Sequence, residues 1–459
     1  MKTLRILIGL SAALSMVLGA CQPASPTAPP SGATAAPPQA TTVSQEATTA
    51  PAAEEIVITF WHQEQVDRRI KILQKLLDEF YAESGIKVVQ ETMTWDEQYV
   101  RLMSAIQAGT PPDITWGGED VTLTLHTAGA IQPVTDIVQE LDGLYQFVPI
   151  HRDKMFYQSE YWAVPVFALS YNFWYRKDLF SAAGLKPPET WDDVVAAAKA
   201  LNDPANQRWG ISLPTGETMY GEQVADSLML GCGGNIMEKG NKLAVNSPET
   251  MKALDYYREL AKYTPPDSGN YTWPEAGIAF AQGKTAMLIT FNAVLDYASV
   301  AENKPENLGI VKMPHCQGAD AKTVSYTLDL NVITKDPVKR EAVHKWLLFM
   351  FDPKNYGEWA AEFEPGLFLP ITKAGLDSES YWAHPMVAPY KDQVHTAMEL
   401  TSINTNMLWA PGDTPDENAG VITAGRPLMT AVQALLFNGA TPAEGAAIAE
   451  QIIKDNLGW

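Results

Sequence analysis

Residues 56–89 read IVITFWHQEQVDRRIKILQKLLDEFYAESGIKVV and contain a complete strand–helix–strand unit. The apolar run Ile56–Trp61 predicts a buried strand, and the apolar residues that follow recur at helical spacing as far as Tyr81. Ser84-Gly85 ends this helix before a second predicted strand, Ile86–Val89. Strands that alternate with helices in this way are typical of parallel α/β sheets.

The same alternation continues downstream. A helix is predicted from about Trp95 to Gly109, and a strand follows over Asp113–Trp116. Thr190 with Asp193 is a variant of the helix capping box, and Ser247-Pro248 has the cap and first-turn proline of another helix. We therefore expect an α/β fold for the chain that follows residue 54.

The N-terminus has the pattern of a secretory signal peptide over residues 1–20. Lys2 and Arg5 precede an apolar run that ends at Leu18. Leu18-Gly19-Ala20-Cys21 resembles the bacterial lipobox and predicts acylation of Cys21. Residues 21–54 are rich in Pro, Ala and Thr and predict a tether that has no core of its own. We expect a secreted protein that is held at the outer face of the cell membrane as a lipoprotein, extracellular or periplasmic.

Size and charge narrow the class of protein. Residues 55–459 are long enough for two substantial cores. The chain has a formal net charge of −21, whereas binding to nucleic-acid phosphates needs concentrated Lys and Arg. We expect no nucleic-acid partner.

Two further cysteines, Cys232 and Cys316, follow Cys21. An extracellular location permits a disulfide between them, but a domain of this size does not require one, and we expect two buried or weakly functional thiols. The 7 histidines are scattered without ligand spacing. The sequence therefore predicts no metal site and no cofactor.

Several segments in a fixed order resemble one protein family. They are Thr59-Phe60-Trp61-His62, Ala108–Ile114, Tyr161–Pro165, Tyr175–Phe180, Pro188–Trp191, Phe280–Met287 and Ala434–Glu444. Together they cover nearly the whole of the predicted folded chain. They are similar to the extracellular solute-binding proteins of bacterial ABC importers, the group that includes maltose-binding protein.

This resemblance implies an α/β, two-lobed periplasmic-binding-protein fold, type II-like, with discontinuous lobes and a hinged cleft. Lobe 1 is then expected over residues 55–165 and 314–365, and lobe 2 over residues 166–313 and 366–459. The resemblance also implies a monomer without enzymatic activity, which delivers its ligand to the permease subunits in the membrane.

A sugar ligand suits the residue types that follow the predicted strands. Sugars pack C–H faces on aromatic rings and pair hydroxyls with carboxylates and amides. Such residues occur at Trp61, His62 and Gln63, and at Trp116, Glu119 and Asp120. The resemblance adds contacts from the second lobe at Glu217 and Tyr220. Further candidates of the same chemistry are Tyr171, Asn172, Trp273, Phe291, Asn292, Tyr326, Asp329, Trp359 and Trp409.

Three tryptophans, Trp95, Trp191 and Trp346, are expected to be packing residues without a ligand. The sequence leaves open whether the ligand is a mono- or oligosaccharide, or another polar solute such as a polyol, glycerol phosphate or polyamine. The rival class is a secreted carbohydrate-active enzyme that uses paired carboxylates. No Gly-x-Ser-x-Gly, His-Glu-x-x-His or phosphate-binding loop motif occurs to favour an enzyme.

Overall fold

The structure is a computed structural model, and it describes residues 55–238, 242–292, 294–300, 303–322, 324–363, 366–403 and 416–459. The predicted signal peptide and tether, with Cys21, lie outside the described residues, and so does Trp409. The chain from Glu54 to Trp459 forms one unit by its internal contacts.

The strands of the described residues are, in chain order, β1 (Val57–His62), β2 (Lys87–Thr92), β3 (Ile114–Gly117), β4 (Phe156–Tyr157), β5 (Glu160–Tyr161), β6 (Val164–Ser170), β7 (Asn172–Arg176), β8 (Met237–Glu238), β9 (Lys242–Leu243), β10 (Met287–Thr290), β11 (Leu308–Val311), β12 (Ser325–Val332) and β13 (Leu369–Pro370).

The helices are, in the same order, α1 (Asp67–Ser84), α2 (Gln98–Ala108), α3 (Glu119–Thr127), α4 (Thr135–Tyr145), α5 (Pro149–Arg152), α6 (Lys177–Ala182), α7 (Trp191–Leu201), α8 (Met219–Gly231), α9 (Pro248–Leu260), α10 (Trp273–Ala281), α11 (Val294–Val300), α12 (Pro337–Phe351), α13 (Pro353–Phe363), α14 (Lys373–Leu376), α15 (Glu379–Trp382), α16 (Lys391–Ile403), α17 (Ala419–Gly425), α18 (Pro427–Phe437) and α19 (Pro442–Leu457).

The predicted strand–helix–strand unit is confirmed. β1 and β2 pair in parallel, and α1 connects them. Gly85 has a left-handed φ of 70°, and its amide N–H donates a hydrogen bond to the carbonyl of Tyr81. Because glycine adopts this conformation without steric cost, α1 ends here and the chain turns into β2.

The main sheet has the strand order β13-β6-β12-β3-β1-β2. Only β2, β1 and β3 are parallel neighbours, while β12 runs antiparallel to both β3 and β6. The main sheet is therefore mixed, parallel on the side of β2, β1 and β3 and antiparallel around β12. Between β6 and its sheet neighbour β12, the chain forms a second sheet and several helices. No single crossover helix therefore fixes the direction of β12.

A second sheet, with the strand order β10-β7-β11, is antiparallel throughout its described residues. Its central strand, β7, begins two residues after β6 ends, and Tyr171 lies between them. The chain thus passes from the main sheet into the second sheet within one extended segment. The predicted lobe boundaries stay a prediction.

The two predicted helix starts are confirmed by their caps. The Thr190 hydroxyl accepts a hydrogen bond from the amide of Asp193, whose carboxylate accepts one from the Thr190 amide. The Ser247 hydroxyl accepts from the amide of Thr250 in the same way. Each pair satisfies amides that a helix N-terminus leaves without an intrahelical partner.

Cys232 and Cys316 form a disulfide, so the prediction of two free thiols is wrong. Their Cα atoms are 4.6 Å apart, although 84 residues separate them in sequence. Cys232 follows the last residue of α8, and the Cys316 amide donates a hydrogen bond to the carbonyl of Gly231. The fold therefore brings the end of α8 against the segment between β11 and β12.

One stretch, Ala419–Phe437, has the length and composition of a membrane span. In the structure it is two helices, α17 and α18, which are separated at Arg426 with a left-handed φ of 47°. More than half of its most apolar window is buried, and α18 packs on α8, α9 and α19. The apolar residues of this stretch therefore pack in the core of the folded unit.

Candidate functional site

A cavity of about 170 Å³ lies where residues associated with the two sheets meet. Several segments that line it follow the carboxyl ends of β1, β2 and β3, as is usual for ligand sites of open α/β sheets. The opposite wall comes from α8, α10 and the chain after β10. The lining residues are Glu64, Arg69, Trp95, Gln98, Tyr99, Gly118, Asp120, Leu169, Met219, Gln223, Trp273, Pro274, Phe291, Tyr297, Tyr326, Leu328, Leu367 and Phe368.

Asp120 supplies a carboxylate to this wall from the first turn of α3. It accepts hydrogen bonds from the Tyr99 hydroxyl and, at 3.0 Å, from the amide of Val121. Burial raises the pKa of Asp120, and the Tyr99 hydroxyl opposes that shift. A Cβ atom at Gly118 would lie 2.7 Å from Asp120 Oδ1, so a larger residue there would displace the carboxylate from its present position.

Seven aromatic side chains among the described residues contribute to the wall. The Trp273 indole N–H donates a 2.7 Å hydrogen bond to the Tyr171 hydroxyl, which donates to the Gln223 amide oxygen at 2.6 Å. Phe291 packs against Tyr171 and Tyr326, with ring centroids 4.2 Å and 5.6 Å apart. These contacts hold the rings in place before a ligand arrives.

An ion pair lies at another part of the wall. The guanidinium of Arg69, in the first turn of α1, donates a hydrogen bond to the carboxylate of Glu64, in the loop after β1. The side chains are only 12% and 3% exposed, respectively. The pair is therefore largely removed from water.

A group of buried carboxyls lies behind Asp120. Glu119 accepts a 2.7 Å hydrogen bond from the Thr327 amide and lies 3.6 Å from the ammonium of Lys154. Burial raises the pKa of Glu119 to about 7, although Lys154 and the Thr327 amide oppose the shift. Asp329 accepts from the Thr327 hydroxyl, and burial near Glu119 raises its pKa too. Among the described residues, no His, Cys, Asp and Glu side chains form a group suited to a metal ion.

Four of the predicted ligand contacts do line the cavity: Asp120, Trp273, Phe291 and Tyr326. Others lie directly behind this wall. Tyr171 supports Trp273, and Asn172 donates a hydrogen bond to the Asn292 side chain at 3.3 Å. The Tyr220 hydroxyl donates to the carbonyl of Ile289 at 2.7 Å. Glu119 and Asp329 belong to the buried group of carboxyls.

Other predicted contacts lie away from the cavity. Trp116 and Trp359 are fully buried and stack on each other with ring planes 13° apart, so both are core residues. Trp61 lies under the guanidinium of Arg101, 4.4 Å from its centre to the ring centroid. Glu217 is exposed and accepts a hydrogen bond from the Thr430 hydroxyl.

His62 and Gln63, from the end of β1 and the loop after it, are buried. The His62 ring is hydrogen-bonded to the Gln90 side chain at 3.0 Å, and burial lowers the pKa of His62 to about 4. Gln63 donates a 3.4 Å hydrogen bond to the carbonyl of Trp116. Neither side chain lines the cavity.

Trp95 lines the cavity and also packs against the main core, and the prediction that it binds no ligand stays a prediction. α2 begins at Gln98, later than predicted, because Thr94 and Glu97 hydrogen-bond each other's amides and form a turn. Trp95 in that turn faces the cavity. Its position after β2 is the signal that would have identified it. Trp191 and Trp346 are fully buried, as predicted.

Comparison with known proteins identifies the family. The family described as bacterial extracellular solute-binding protein matches residues 67–357. YcjN of Escherichia coli (strain K12), assigned to ABC transport as a periplasmic-binding protein, is 29% identical over 336 residues, 71% of this chain and 75% of that protein. The sn-glycerol-3-phosphate-binding periplasmic protein UgpB of Shigella dysenteriae serotype 1 is 26% identical over 350 residues, 70% of this chain and 75% of that protein.

Among solved structures, an ABC transporter solute-binding protein from Agrobacterium radiobacter K84 in complex with ribitol has a TM-score of 0.76. It is 23% identical, and the match covers 87% of this chain and 98% of that chain. The predicted two-lobed solute-binding fold is thereby confirmed. The chain belongs to the bacterial extracellular solute-binding protein family.

Proposed function

We propose that this protein is the solute-capturing component of an ABC importer and that it binds a single sugar ring or a polyol of similar size. The observation that carries the proposal is the cavity in which aromatic rings surround the Asp120 carboxylate. Aromatic faces pack on C–H groups, and a carboxylate accepts hydrogen bonds from hydroxyls. The binding of ribitol by a structural relative supports the same chemistry.

The size of the cavity favours a small ligand over an oligosaccharide. Its volume is about 170 Å³. Pockets for drug-sized ligands have volumes of roughly 300–1,000 Å³. We therefore narrow the predicted mono- or oligosaccharide to a monosaccharide or a linear polyol.

We further propose that the protein acts at the outer face of the membrane, where a lipid on Cys21 anchors it and permease subunits accept its solute. The support is the lipobox-like sequence that ends at Cys21, together with the family's extracellular location. The protein supplies no ATPase motif of its own, so transport needs partner subunits. A Cys21→Ser variant that partitions into membranes as fully as the parent would contradict the anchor.

A thermal-shift screen of neutral monosaccharides and polyols tests the binding function. The chain from residue 21, carrying Cys21→Ser, is the material. At a concentration of about 100 Kd, a ligand that binds only the folded state adds about 2.7 kcal/mol, which corresponds to a rise in Tm of several degrees. Chromatography of the same mixtures must show unchanged solute. Product formation would indicate an enzyme, and a flat screen would contradict solute capture.

A further inference from the structure

We propose that the site selects uncharged solutes against phosphorylated ones, and that the ion pair between Glu64 and Arg69 determines this selectivity. The inference rests on the proposed function and adds the charge class of the ligand. Neutral and phosphorylated ligands both need to be considered, because the relatives of this chain include a ribitol complex and a glycerol-phosphate-binding protein.

The formal charges on the cavity wall disfavour an anion. Among the described lining residues, the side chains with a formal charge are Glu64, Arg69 and Asp120. Two carboxyl groups thus accompany one guanidinium. A phosphate group in this small cavity brings additional negative charge close to carboxylates in a poorly solvated space, where the repulsion between like charges is strong.

The wall has two electropositive features, the Arg69 guanidinium and the first turn of α3. Each of them already contacts a carboxylate of the protein. The Arg69 guanidinium donates to Glu64, and this pair is largely buried. The first turn of α3, which is suited to an anion by its free amides, is occupied by Asp120 through the amide of Val121. A phosphate group must therefore displace a carboxylate before it contacts either of these features.

Hydrogen-bond complementarity leads to the same conclusion. An ionised carboxylate only accepts hydrogen bonds, so Asp120 and Glu64 suit ligand groups that donate them. The hydroxyls of a sugar or polyol donate, whereas a phosphate dianion has no proton to donate. The phosphate would place acceptor oxygens against acceptor oxygens, while the hydroxyl satisfies the carboxylate.

Matched ligand pairs test the inference by isothermal titration of the chain from residue 21 carrying Cys21→Ser. The pairs are glycerol with sn-glycerol 3-phosphate, D-mannitol with D-mannitol 1-phosphate, and D-glucose with D-glucose 6-phosphate. In each pair whose neutral member binds, we expect the phosphorylated member to bind at least tenfold more weakly. A neutral ether, 6-O-methyl-D-glucose, separates bulk from charge: it must bind better than D-glucose 6-phosphate.

The Glu64→Gln variant tests the assigned residue, because it keeps the size of the side chain and removes one negative charge. The wall is then less negative, so the preference for the neutral member should fall at least tenfold. Loss of the Glu64 charge breaks a largely buried ion pair and can reduce folding stability. If the variant does not fold, the comparison of the methyl ether with the phosphate in the parent still decides the charge selectivity.

The outcomes separate the inference from the proposed function. A phosphorylated member that binds within threefold of its neutral partner overturns the charge selectivity and leaves solute capture intact. Equal rejection of the methyl ether and the phosphate overturns it as well, since bulk would then explain the preference. If no neutral probe binds, the proposed function fails and the inference fails with it.

Discussion

Asp120 shows how backbone geometry prepares a single side chain for binding. Gly118 leaves space for the carboxylate, and the Val121 amide and Tyr99 hydroxyl both donate to it. The donors fix the direction of the carboxylate oxygens, so little side-chain entropy is lost when a solute binds. This arrangement makes Asp120 the strongest candidate for an energetic contact.

We predict that Asp120→Asn weakens binding of the cognate solute about tenfold or more, because a hydrogen bond to a charged group contributes roughly 1.5–3 kcal/mol. The asparagine oxygen can still accept from the Val121 amide while its NH2 group donates to the Tyr99 hydroxyl, so the variant should fold. Glu217→Gln is the matched control, since Glu217 is exposed and away from the cavity. Calorimetry that shows equal losses in both variants, or none in Asp120→Asn, contradicts this assignment.

Glu222 leads to a prediction about pH. Its carboxyl is buried on α8 and accepts hydrogen bonds from the amides of Leu428 and Met429. Burial outweighs these donors and raises the pKa of Glu222 from 4.5 to about 8. Between these two values the folded state holds a proton that the unfolded state releases. Glu222 should therefore contribute a decline in the free energy of unfolding as the pH rises from about 4.5 to about 8.

Urea unfolding at pH 5, 6.5 and 8 measures this dependence. Glu222→Gln removes one titrating group and should flatten the decline, while Glu306→Gln, at an exposed position that does not influence Glu222, should leave it unchanged. Asp226, whose pKa burial also raises, keeps part of the slope in the variant. A slope that is the same in Glu222→Gln and in the parent contradicts the prediction.

At the scale of elements, the disulfide ties α8 to the segment between β11 and β12. α8 supplies Met219 and Gln223 to the cavity from its first turns, and Cys232 follows its last residue. The disulfide therefore connects α8, which lines the cavity, to the chain segment that leads into β12 of the main sheet. Sequence separation gave no indication of this pairing, because the proximity arises only when both sheets are assembled.

We predict that the double variant Cys232→Ser, Cys316→Ser lowers the free energy of unfolding by about 2 to 4 kcal/mol, since the disulfide closes a long loop in the unfolded chain. Denaturant unfolding of the variant and of the parent measures the change. The parent with a reductant provides the control and should approach the stability of the variant. Equal stability of variant and oxidised parent would contradict a structural role.

At the scale of the whole molecule, the fold is easier to predict from the sequence than the residues of the site. The strand–helix–strand unit and the helix caps are local, so neighbouring residues were sufficient to predict them. The cavity instead combines Asp120, Gln223, Trp273 and Tyr326 from distant parts of the chain. A strand-end tryptophan such as Trp116 gives the same sequence signal whether its ring faces the cavity or the core, and only the packing decides.

The position of the cavity also predicts motion. Residues from both sides line it, so a ligand that contacts both sides favours a closed form. We expect the radius of gyration from X-ray scattering to fall when the cognate solute is added. Asp120→Asn at the same solute concentration should contract less. An open unliganded protein whose scattering stays unchanged at saturation would contradict the hinge.

A crystal structure of the protein with the neutral solute that raises Tm most tests the central claim most directly. The account predicts one sugar or polyol molecule in the cavity, with a hydroxyl donating to Asp120 and C–H groups against Trp273 or another aromatic ring of the wall. A solute bound outside the cavity, while the cavity holds only water, would contradict it.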